Sequence, residues 1–132
     1  MTYISPEERG PAAVRDDMNE AEAHSFAMQW IEAWNAHDLE RVLAHYAEHF
    51  EMSSPFIASL AGEASGRLRG KPAIRAYWAR ALEMVPDLRF ELIDVRVGVD
   101  SLVIHYQGHK GPVAEVLRFG EGGKVVSASA HY

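Results

Sequence analysis

Residues 26–55 decide the fold, and they read FAMQWIEAWNAHDLERVLAHYAEHFEMSSP. Large apolar side chains recur in this stretch at three- and four-residue spacing as far as Tyr46, which predicts two amphipathic helices. The spacing then changes to two, which predicts an extended segment that stops at Pro55. Trp30, Trp34 and Tyr46 should face one apolar space. The stretch therefore predicts the wall of a pocket.

The first of these helices has a clear start signal. Asn19 can cap it, because its side-chain oxygen can accept from the amides of the first turn, and Glu22 stands three residues on, as in a capping box. The apolar face of this helix carries Ala23, Phe26, Ala27, Trp30 and Trp34. Asp38 can cap a second helix, whose apolar residues are Leu39, Val42, Leu43 and Tyr46. A first strand is then predicted at residues 49–54.

The rest of the chain continues with one helix and several strands. Residues 57–70 contain three glycines and are predicted to form a loop, with a short strand near Leu68. A third helix should start at Pro72, whose missing amide proton has no helical partner in a first turn, and end at Pro86. Strand patterns follow at residues 88–99, 101–108, 112–119 and 124–132. Helices followed by a meander of antiparallel strands predict an α+β fold, with the helices on one face of a sheet.

The length of 132 residues and the composition fit one domain, predicted to span residues 19–132 after an extended tail at residues 1–18. The net charge is −6, and the basic residues are interspersed, so nucleic acid is not an expected partner. The chain has no cysteine, which excludes disulfides, a thiolate nucleophile and a cysteine zinc site. We see no signal-peptide pattern and no apolar run that would span a membrane. We therefore expect a cytoplasmic protein without membrane contact.

Glu115 is the most informative ionisable residue. A tight turn around His109 and Lys110 would pair Glu115 with Ile104 or Tyr106 in a hairpin. Glu115 then lies on the core face, as its sole carboxylic acid, with Leu102, Ile104, Tyr106, Val113, Leu117 and Phe119. A carboxyl group there loses hydration, which should raise its pKa. Two interpretations stay open: a raised acid that transfers protons, or an acid that bonds to a tyrosine or indole and does no chemistry. A register shift of one residue would instead make it a surface charge.

The histidines do not form a convincing metal site. His45 and His49 have the spacing of helical ligands, but Tyr46 stands where the glutamate of a metalloprotease motif would follow the first histidine. A catalytic zinc needs three protein ligands, and no third is evident. We therefore predict no metal and no cofactor. His105 and His109 should lie on the outer face of the sheet or at the hairpin tip.

Three motifs in this order resemble the NTF2-like superfamily, and within it the bacterial SnoaL-like and ketosteroid-isomerase-like branch. They read WIEAWNAHDLERVLAHYAEHFEMSSP, GKPAIRAYW and EVLRFGEGGKVVSASAHY, and the resemblance covers about residues 21–132. It implies a cone in which three helices pack on a strongly curved, mainly antiparallel sheet. It also implies a blind apolar pocket, and a homodimer formed through the convex face of the sheet.

The resemblance also assigns positions to a known chemistry. The ketosteroid-isomerase pattern places its general-base aspartate at Ser54, its oxyanion-binding tyrosine at Trp30 and its second oxyanion acid at Glu115. A serine without a paired base cannot usefully take a carbon-bound proton near neutral pH, and an indole is a weaker donor than a phenol. We therefore expect the pocket without ketosteroid isomerase activity. The residue sets of scytalone-dehydratase-like and limonene-epoxide-hydrolase-like enzymes cannot be assembled.

The leading hypothesis is a protein that binds a hydrophobic, cyclic small molecule, with Glu115 as acid or base in an isomerisation, dehydration or cyclisation. The predicted ligand-binding residues are Trp30, Trp34, Met52, Ser54, Trp78, Tyr106 and Tyr132. Each aromatic alone is an ordinary core residue, but so many rings around two buried polar groups favour a cavity. Two alternatives stay open: a non-catalytic ligand-binding or dimerisation module, and a protein-interaction domain that acts through the convex face.

Overall fold

The computed structural model describes residues 18–132, so the tail predicted at residues 1–18 lies outside this range except for Met18. The helices of this range are α1 (Glu20–Asn35), α2 (Leu39–Leu43), α3 (Pro55–Ala61) and α4 (Lys71–Met84). The strands are β1 (Tyr46–Ser53), β2 (Arg67–Arg69), β3 (Glu91–Gly98), β4 (Ser101–Gln107), β5 (Pro112–Phe119) and β6 (Val125–His131). The predicted α+β fold is confirmed.

The predicted helix starts are present. The Asn19 side chain accepts from the backbone amide of Glu22 at 2.8 Å, and the Glu22 side chain accepts from the amide of Asn19 at 3.4 Å. This reciprocal pair is a capping box, which satisfies two amides that a helix start leaves without partners. Asp38 caps α2 by accepting from the amide of Arg41. The predicted third helix corresponds to α4, with Pro72 in its first turn.

Two local predictions are wrong. Residues 57–70 were expected to form a loop, but α3 occupies the first part of this segment, with Ser54 as its N-cap and Pro55 at its start. Gly62 ends α3 with φ of 72°, a left-handed conformation that glycine adopts without steric cost. The first strand begins at Tyr46 rather than at residue 49, so Tyr46 belongs to β1 and not to the second helix. The described residues therefore contain four α-helices instead of three, besides a short 3₁₀ helix at Glu121–Gly123.

The six strands form one open sheet in the order β2-β1-β6-β5-β4-β3. Strands β1 and β6 run parallel, and the other neighbours are antiparallel. Register shifts interrupt the pairing of β3 with β4, of β5 with β6 and of β1 with β6, and such irregularities bend a sheet. The central strands β4, β5 and β6 are each paired with a strand on both sides.

The helices pack on the concave face of this sheet and enclose the core. The largest fully buried side chains come from α1, α3 and α4 and from the facing strands: Trp30, Tyr46, Phe50, Ile57, Ile74, Leu102, Ile104 and Leu117. Between residues 18 and 132, no helix is both long and apolar enough to span a membrane. The core is filled beside Leu117 but leaves a space beside Glu115, two residues along the same strand.

Candidate functional site

A cavity of about 650 Å³ lies between α1, α3, α4 and the concave face of the sheet. This volume is within the range of small-molecule sites. We call its inner end the base, formed by Trp30, Tyr106 and Glu115 with Tyr46 directly behind. We call its outer end the mouth, formed by the exposed lining residues Phe56, Met84, His109, Lys110 and Tyr132. Between them the walls are almost entirely apolar.

Glu115 lies at the base and is 3% exposed. It pairs with Ile104 across β4 and with Ala130 across β6, so the register predicted from the hairpin turn is confirmed. The Tyr106 hydroxyl donates to its Oε1 atom at 3.3 Å. Burial raises the pKa of Glu115 to about 7, and the hydrogen bond from Tyr106 lowers it by a smaller amount. At neutral pH the carboxyl group therefore exists in both its acid and its ionised form.

Trp30 and Tyr46 form a second buried polar pair beside Glu115. The indole Nε1 of Trp30 donates to the Tyr46 hydroxyl at 2.9 Å. Burial is the main cause that raises the pKa of Tyr46 above its usual range, and the nearby charge of Glu115 adds to it. Tyr46 is therefore a neutral phenol at physiological pH. Its ring lies behind the wall, packed against Phe50 and Trp78, whereas Trp30 lines the cavity.

Trp34 differs from Trp30 in the hydrogen bonding of its indole nitrogen. Its ring lines the cavity, where it meets Trp78 at a centroid distance of 5.0 Å and Phe90 at 5.8 Å. Its indole Nε1 is the one fully buried side-chain nitrogen or oxygen among the described residues that has no hydrogen-bond partner. The Trp34 ring makes tilted or edge-on contacts with Trp30, Trp78 and Phe90, and such ring contacts compensate only weakly for a lost hydrogen bond.

The end of α1 holds one wall of the cavity in place. The Asn35 side chain accepts from the backbone amide of Phe90 at 2.7 Å and donates to the carbonyl oxygen of the same residue at 2.9 Å. The His37 ring bonds to the carbonyl oxygen of Leu88 at 2.9 Å. These contacts fix the segment before β3, so that Leu88 and Phe90 line the cavity. Sequence patterns did not identify this clamp, because its partners are backbone groups more than 50 residues away.

Six of the seven predicted ligand-binding residues line the cavity: Trp30, Trp34, Met52, Trp78, Tyr106 and Tyr132. Ser54, the seventh, is buried but is not part of the cavity wall. Its hydroxyl accepts from the backbone amide of Phe56 at 3.2 Å and lies 3.4 Å from the Tyr132 hydroxyl. Ser54 therefore caps α3 and supports the mouth from behind. The binding roles of all seven remain predictions.

The mouth contains residues that sequence patterns did not assign to the site. His109 was expected at the tip of the hairpin, and it does lie there, but the tip itself lines the cavity together with Lys110. Phe56 reaches the mouth from α3, the helix that was missed, and Met84 reaches it from the end of α4. The sequence signal nearest to the tip is the alternation that places Val113 and Glu115 inward, but it was used only for the face of β5 and not for the turn that precedes this strand.

The remaining histidines give no metal centre. His45 follows α2 and His49 is exposed on β1, so the two do not share a helix. Burial, followed by the nearby charge of Lys124, lowers the pKa of His45. Across residues 18–132, no three histidine, aspartate or glutamate side chains are grouped so that they can hold a metal ion. The ionisable chemistry of the cavity therefore centres on Glu115.

Comparisons with known proteins agree with this architecture. A family model for the SnoaL-like domain matches residues 27–128. The chain is 55% identical to a SnoaL-like protein of unknown function from Burkholderia thailandensis, with a TM-score of 0.85 over 89% of this chain and 98% of that one.

More distant structures share the fold alone. One is a protein with a cystatin-like fold from Methylobium petroleophilum, at 18% identity and a TM-score of 0.68 over 88% of this chain and 78% of that one. Another, from Catenulispora acidiphila, has a ketosteroid isomerase-like fold, at 21% identity and a TM-score of 0.62 over 80% and 82%. The search of curated proteins found no match. The chain belongs to the SnoaL-like family.

Proposed function

We propose that this protein binds a mainly hydrophobic, cyclic small molecule, and that Glu115 transfers a proton to or from it in an isomerisation, dehydration or cyclisation. One observation carries the proposal: a fully buried carboxyl group, with a pKa of about 7, lies against a cavity of about 650 Å³. A buried acid with such a pKa costs the fold stability at neutral pH, and sites of this kind are enriched where acid–base chemistry takes place.

Glu115 has the properties that a proton-transfer step needs. At pH 7 its neutral form can donate to a ligand oxygen, and its ionised form can accept a proton from a ligand carbon or hydroxyl. The hydroxyl of Tyr106 donates to one carboxyl oxygen, which stabilises the ionised form and orients the group. Glu115 is the one carboxylic acid among the residues that line the cavity. In the proposed reactions it therefore gives back the proton that it takes.

The walls determine what kind of ligand fits. Trp30, Trp34, Trp78 and Phe90 line the cavity with ring faces and edges. Flat rings pack well against such walls, and the exclusion of water strengthens electrostatic interactions at the base. An apolar ligand with a ring system therefore gains more from this cavity than a flexible polar one. A polar oxygen on the inner side of the ligand would meet Tyr106 and Glu115.

The geometry also supports the expected departure from ketosteroid isomerase. Ser54 stands at the position of that enzyme's base, and its hydroxyl accepts the amide of Phe56 as a helix cap. Trp30 stands at the position of the oxyanion-binding tyrosine, and its N–H donates to Tyr46. Both polar groups are already engaged within the protein. Of the three positions of that pattern, this leaves Glu115, with the Tyr106 hydroxyl bonded to it, to act on a ligand at the inner end of the cavity.

A non-catalytic binding module is the second candidate. The engagement of Ser54 and Trp30 in structural hydrogen bonds favours it, because two positions that could carry a catalytic set do not. For either candidate we propose a homodimer through the convex face of the sheet. The facing pair Val103 and Val116, with Ala114 beside it, supplies apolar side chains there that are only half-buried in one chain. Light scattering of Val116→Glu against the unaltered protein tests this, since a dimer through this face should dissociate.

The catalytic role can be tested in two steps. A library of small cyclic compounds is first screened by thermal shift and native mass spectrometry. Compounds that bind are then incubated with the protein, and products are followed by mass spectrometry. For any compound converted, Glu115→Gln should lower the rate by about 10²–10⁴-fold while binding changes little, because the amide fills the same space without exchanging a proton.

Two controls frame this experiment. Glu91→Gln removes a carboxylate from an exposed position on β3 and should leave the rate unchanged. Tyr106→Phe removes the hydrogen bond to Glu115 and should shift the pH optimum upward, because the ionised form loses a donor. A Glu115→Gln variant with full activity excludes the catalytic role and favours the binding module. The absence of any bound compound counts against both.

A further inference from the structure

We propose that the ligand is an anion, whose apolar ring system fills the cavity while a carboxylate or similar group stays at the mouth against Lys110 and His109. The inference rests on the proposed binding function and adds the charge and the orientation of the ligand. It follows from how charge is distributed along the cavity wall.

The charged residues of the wall lie at its two ends. Glu115 is the one acidic side chain of the wall and lies at the base, whereas His109 and Lys110 are its basic side chains and lie at the mouth. Glu83 and Asp87 belong to the segment that carries Met84 and Val85, but they do not line the cavity. A ligand that enters therefore meets basic groups first, then apolar walls, and an acid at the end.

The turn that carries the two basic residues is well defined. The amide of Gly108 donates to the carbonyl oxygen of Gly111 at 2.8 Å, and Gln107 pairs with Pro112 on either side of it. Gly111 has φ of 147°, which other residues rarely adopt. A Cβ at Gly108 would come within 2.9 Å of Val113. These constraints fix the turn at the rim, so His109 and Lys110 are presented there by the backbone.

The basic side chains of the mouth differ from several other basic groups of residues 18–132 in how they are bonded. Among the described residues, the Lys110 ammonium group and the His109 ring have no hydrogen bond or ion pair. In contrast, Arg67 and Arg69 both bind Glu51, and Arg75 binds Glu40 at 2.7 Å. The basic groups at the mouth are therefore free to bind an external anion.

Electrostatics favours one orientation for such an anion. A carboxylate at the base would lose hydration beside Glu115, whose ionised form repels it. At the mouth it keeps part of its hydration and meets Lys110. Although the chain as a whole carries a charge of −6, the basic rim above low-dielectric walls makes the mouth a locally favourable site for an anion. The ring system then points inward, with its inner oxygen, where present, towards Tyr106.

The test compares three ligands with one ring system and different charges: 2-naphthoate, methyl 2-naphthoate and 2-naphthylmethylamine. Dissociation constants are measured by isothermal titration at low and at moderate ionic strength. We expect the acid to bind about three- to tenfold more tightly than the ester, which is the range of a partly exposed ion pair. Salt should weaken binding of the acid and leave the ester unchanged.

Substitutions of single basic residues test which of them causes the preference for the acid. Lys110→Met keeps the aliphatic stem but removes the charge. It should weaken binding of the acid by about three- to tenfold and binding of the ester by less than about twofold. Lys110→Arg keeps the charge and should retain the preference. Arg80→Met is the matched control, because it removes an exposed positive charge from α4 that does not line the cavity. His109→Gln, which removes the second basic side chain of the mouth, should act in the same direction as Lys110→Met.

The outcomes separate the two proposals. Equal binding of acid and ester, or tightest binding of the amine, overturns the anion inference while cavity binding stands. An acid preference that survives Lys110→Met and His109→Gln also overturns it, because the charge would then be recognised elsewhere. If none of the three compounds binds, the cavity does not accept apolar rings, and the proposed function fails together with the inference.

Discussion

The base and the mouth of the cavity differ in how far their side chains are buried and in how they are hydrogen-bonded. At the base, Trp30 is 2% exposed and Glu115 3%, and each makes a hydrogen bond with a neighbouring tyrosine. At the mouth, Met84 is 57% exposed and Tyr132 61%, and Lys110 has no partner among the described side chains. Substitutions at the base therefore disturb both folding and chemistry. Substitutions at the mouth should change what is bound and leave the fold intact.

The largest expected difference concerns stability. Trp30→Ala removes a buried ring at the base and should lower the free energy of unfolding by about 3–5 kcal/mol, because it loses apolar burial and leaves a cavity beside Tyr46. Met84→Ala at the mouth should change it by less than about 0.5 kcal/mol, as exposed substitutions generally do. Urea denaturation monitored by far-ultraviolet circular dichroism measures both. Similar losses in the two variants would show that the mouth also holds the fold together.

The second prediction concerns how the free energy of unfolding depends on pH through Glu115, at the inner end of the cavity. Its pKa is 4.5 in its ordinary state and about 7 in the fold, so the native protein holds this proton more tightly than the unfolded chain. The contribution of this residue to stability is therefore highest below about pH 4.5, falls as the pH rises to about 7, and is then constant. The total decrease should be roughly 3 kcal/mol.

Glu115→Gln isolates this effect, because it removes the titration and keeps the shape of the side chain. The difference in unfolding free energy between variant and unaltered protein, measured from pH 4.5 to 8, should move in favour of the variant as the pH rises. Glu91→Gln, which removes a carboxylate from an exposed position on β3, is the matched control. Parallel curves for Glu115→Gln would mean that the carboxyl group is more hydrated than its burial implies.

Much of the fold could be predicted from the sequence, because the deciding signals are local. The capping box of Asn19 and Glu22 and the proline at the start of α4 act within one helical turn. Two errors arose where signals competed. Pro55 fits both a strand end and a helix start, and the serine before it favoured the helix that formed. Tyr46 fits the helical spacing, but its pairing with Val125, 79 positions later, draws it into β1.

The site was less predictable than the fold. Glu115 was placed correctly because strand alternation and turn length together fix a face, and the structure has Ile104 opposite it. The spacing between α1, α4 and the sheet depends on packing across the whole chain, so no local pattern reveals that a cavity remains there. The same reason explains why the Asn35 clamp and the basic residues of the mouth were not assigned to it.

The third prediction uses the two tryptophans that differ in one hydrogen bond. Trp30→Phe and Trp34→Phe remove the same atoms from buried rings, but the first also takes the donor away from the Tyr46 hydroxyl. Trp30→Phe should therefore be more destabilising by about 1–2 kcal/mol, whereas Trp34→Phe removes a donor that has no partner. Chemical denaturation of both variants measures this. Adding Tyr46→Phe should cancel the difference, and a difference that persists would assign it to packing alone.

The smallest expected effect is that of a substitution at Ser54, which tests whether the mouth and the base of the cavity are independent. Ser54→Ala removes the hydroxyl that caps α3, so the free energy of unfolding should fall by about 1 kcal/mol. Because α3 carries Phe56 to the mouth, the variant should also loosen the rim and speed ligand release, while the pKa of Glu115 at the base stays the same. Ser54→Asp restores a cap and should recover the stability only if its charge is tolerated in this buried position. A Ser54→Ala variant with altered Glu115 titration, measured by infrared spectroscopy, would show that base and mouth are not independent.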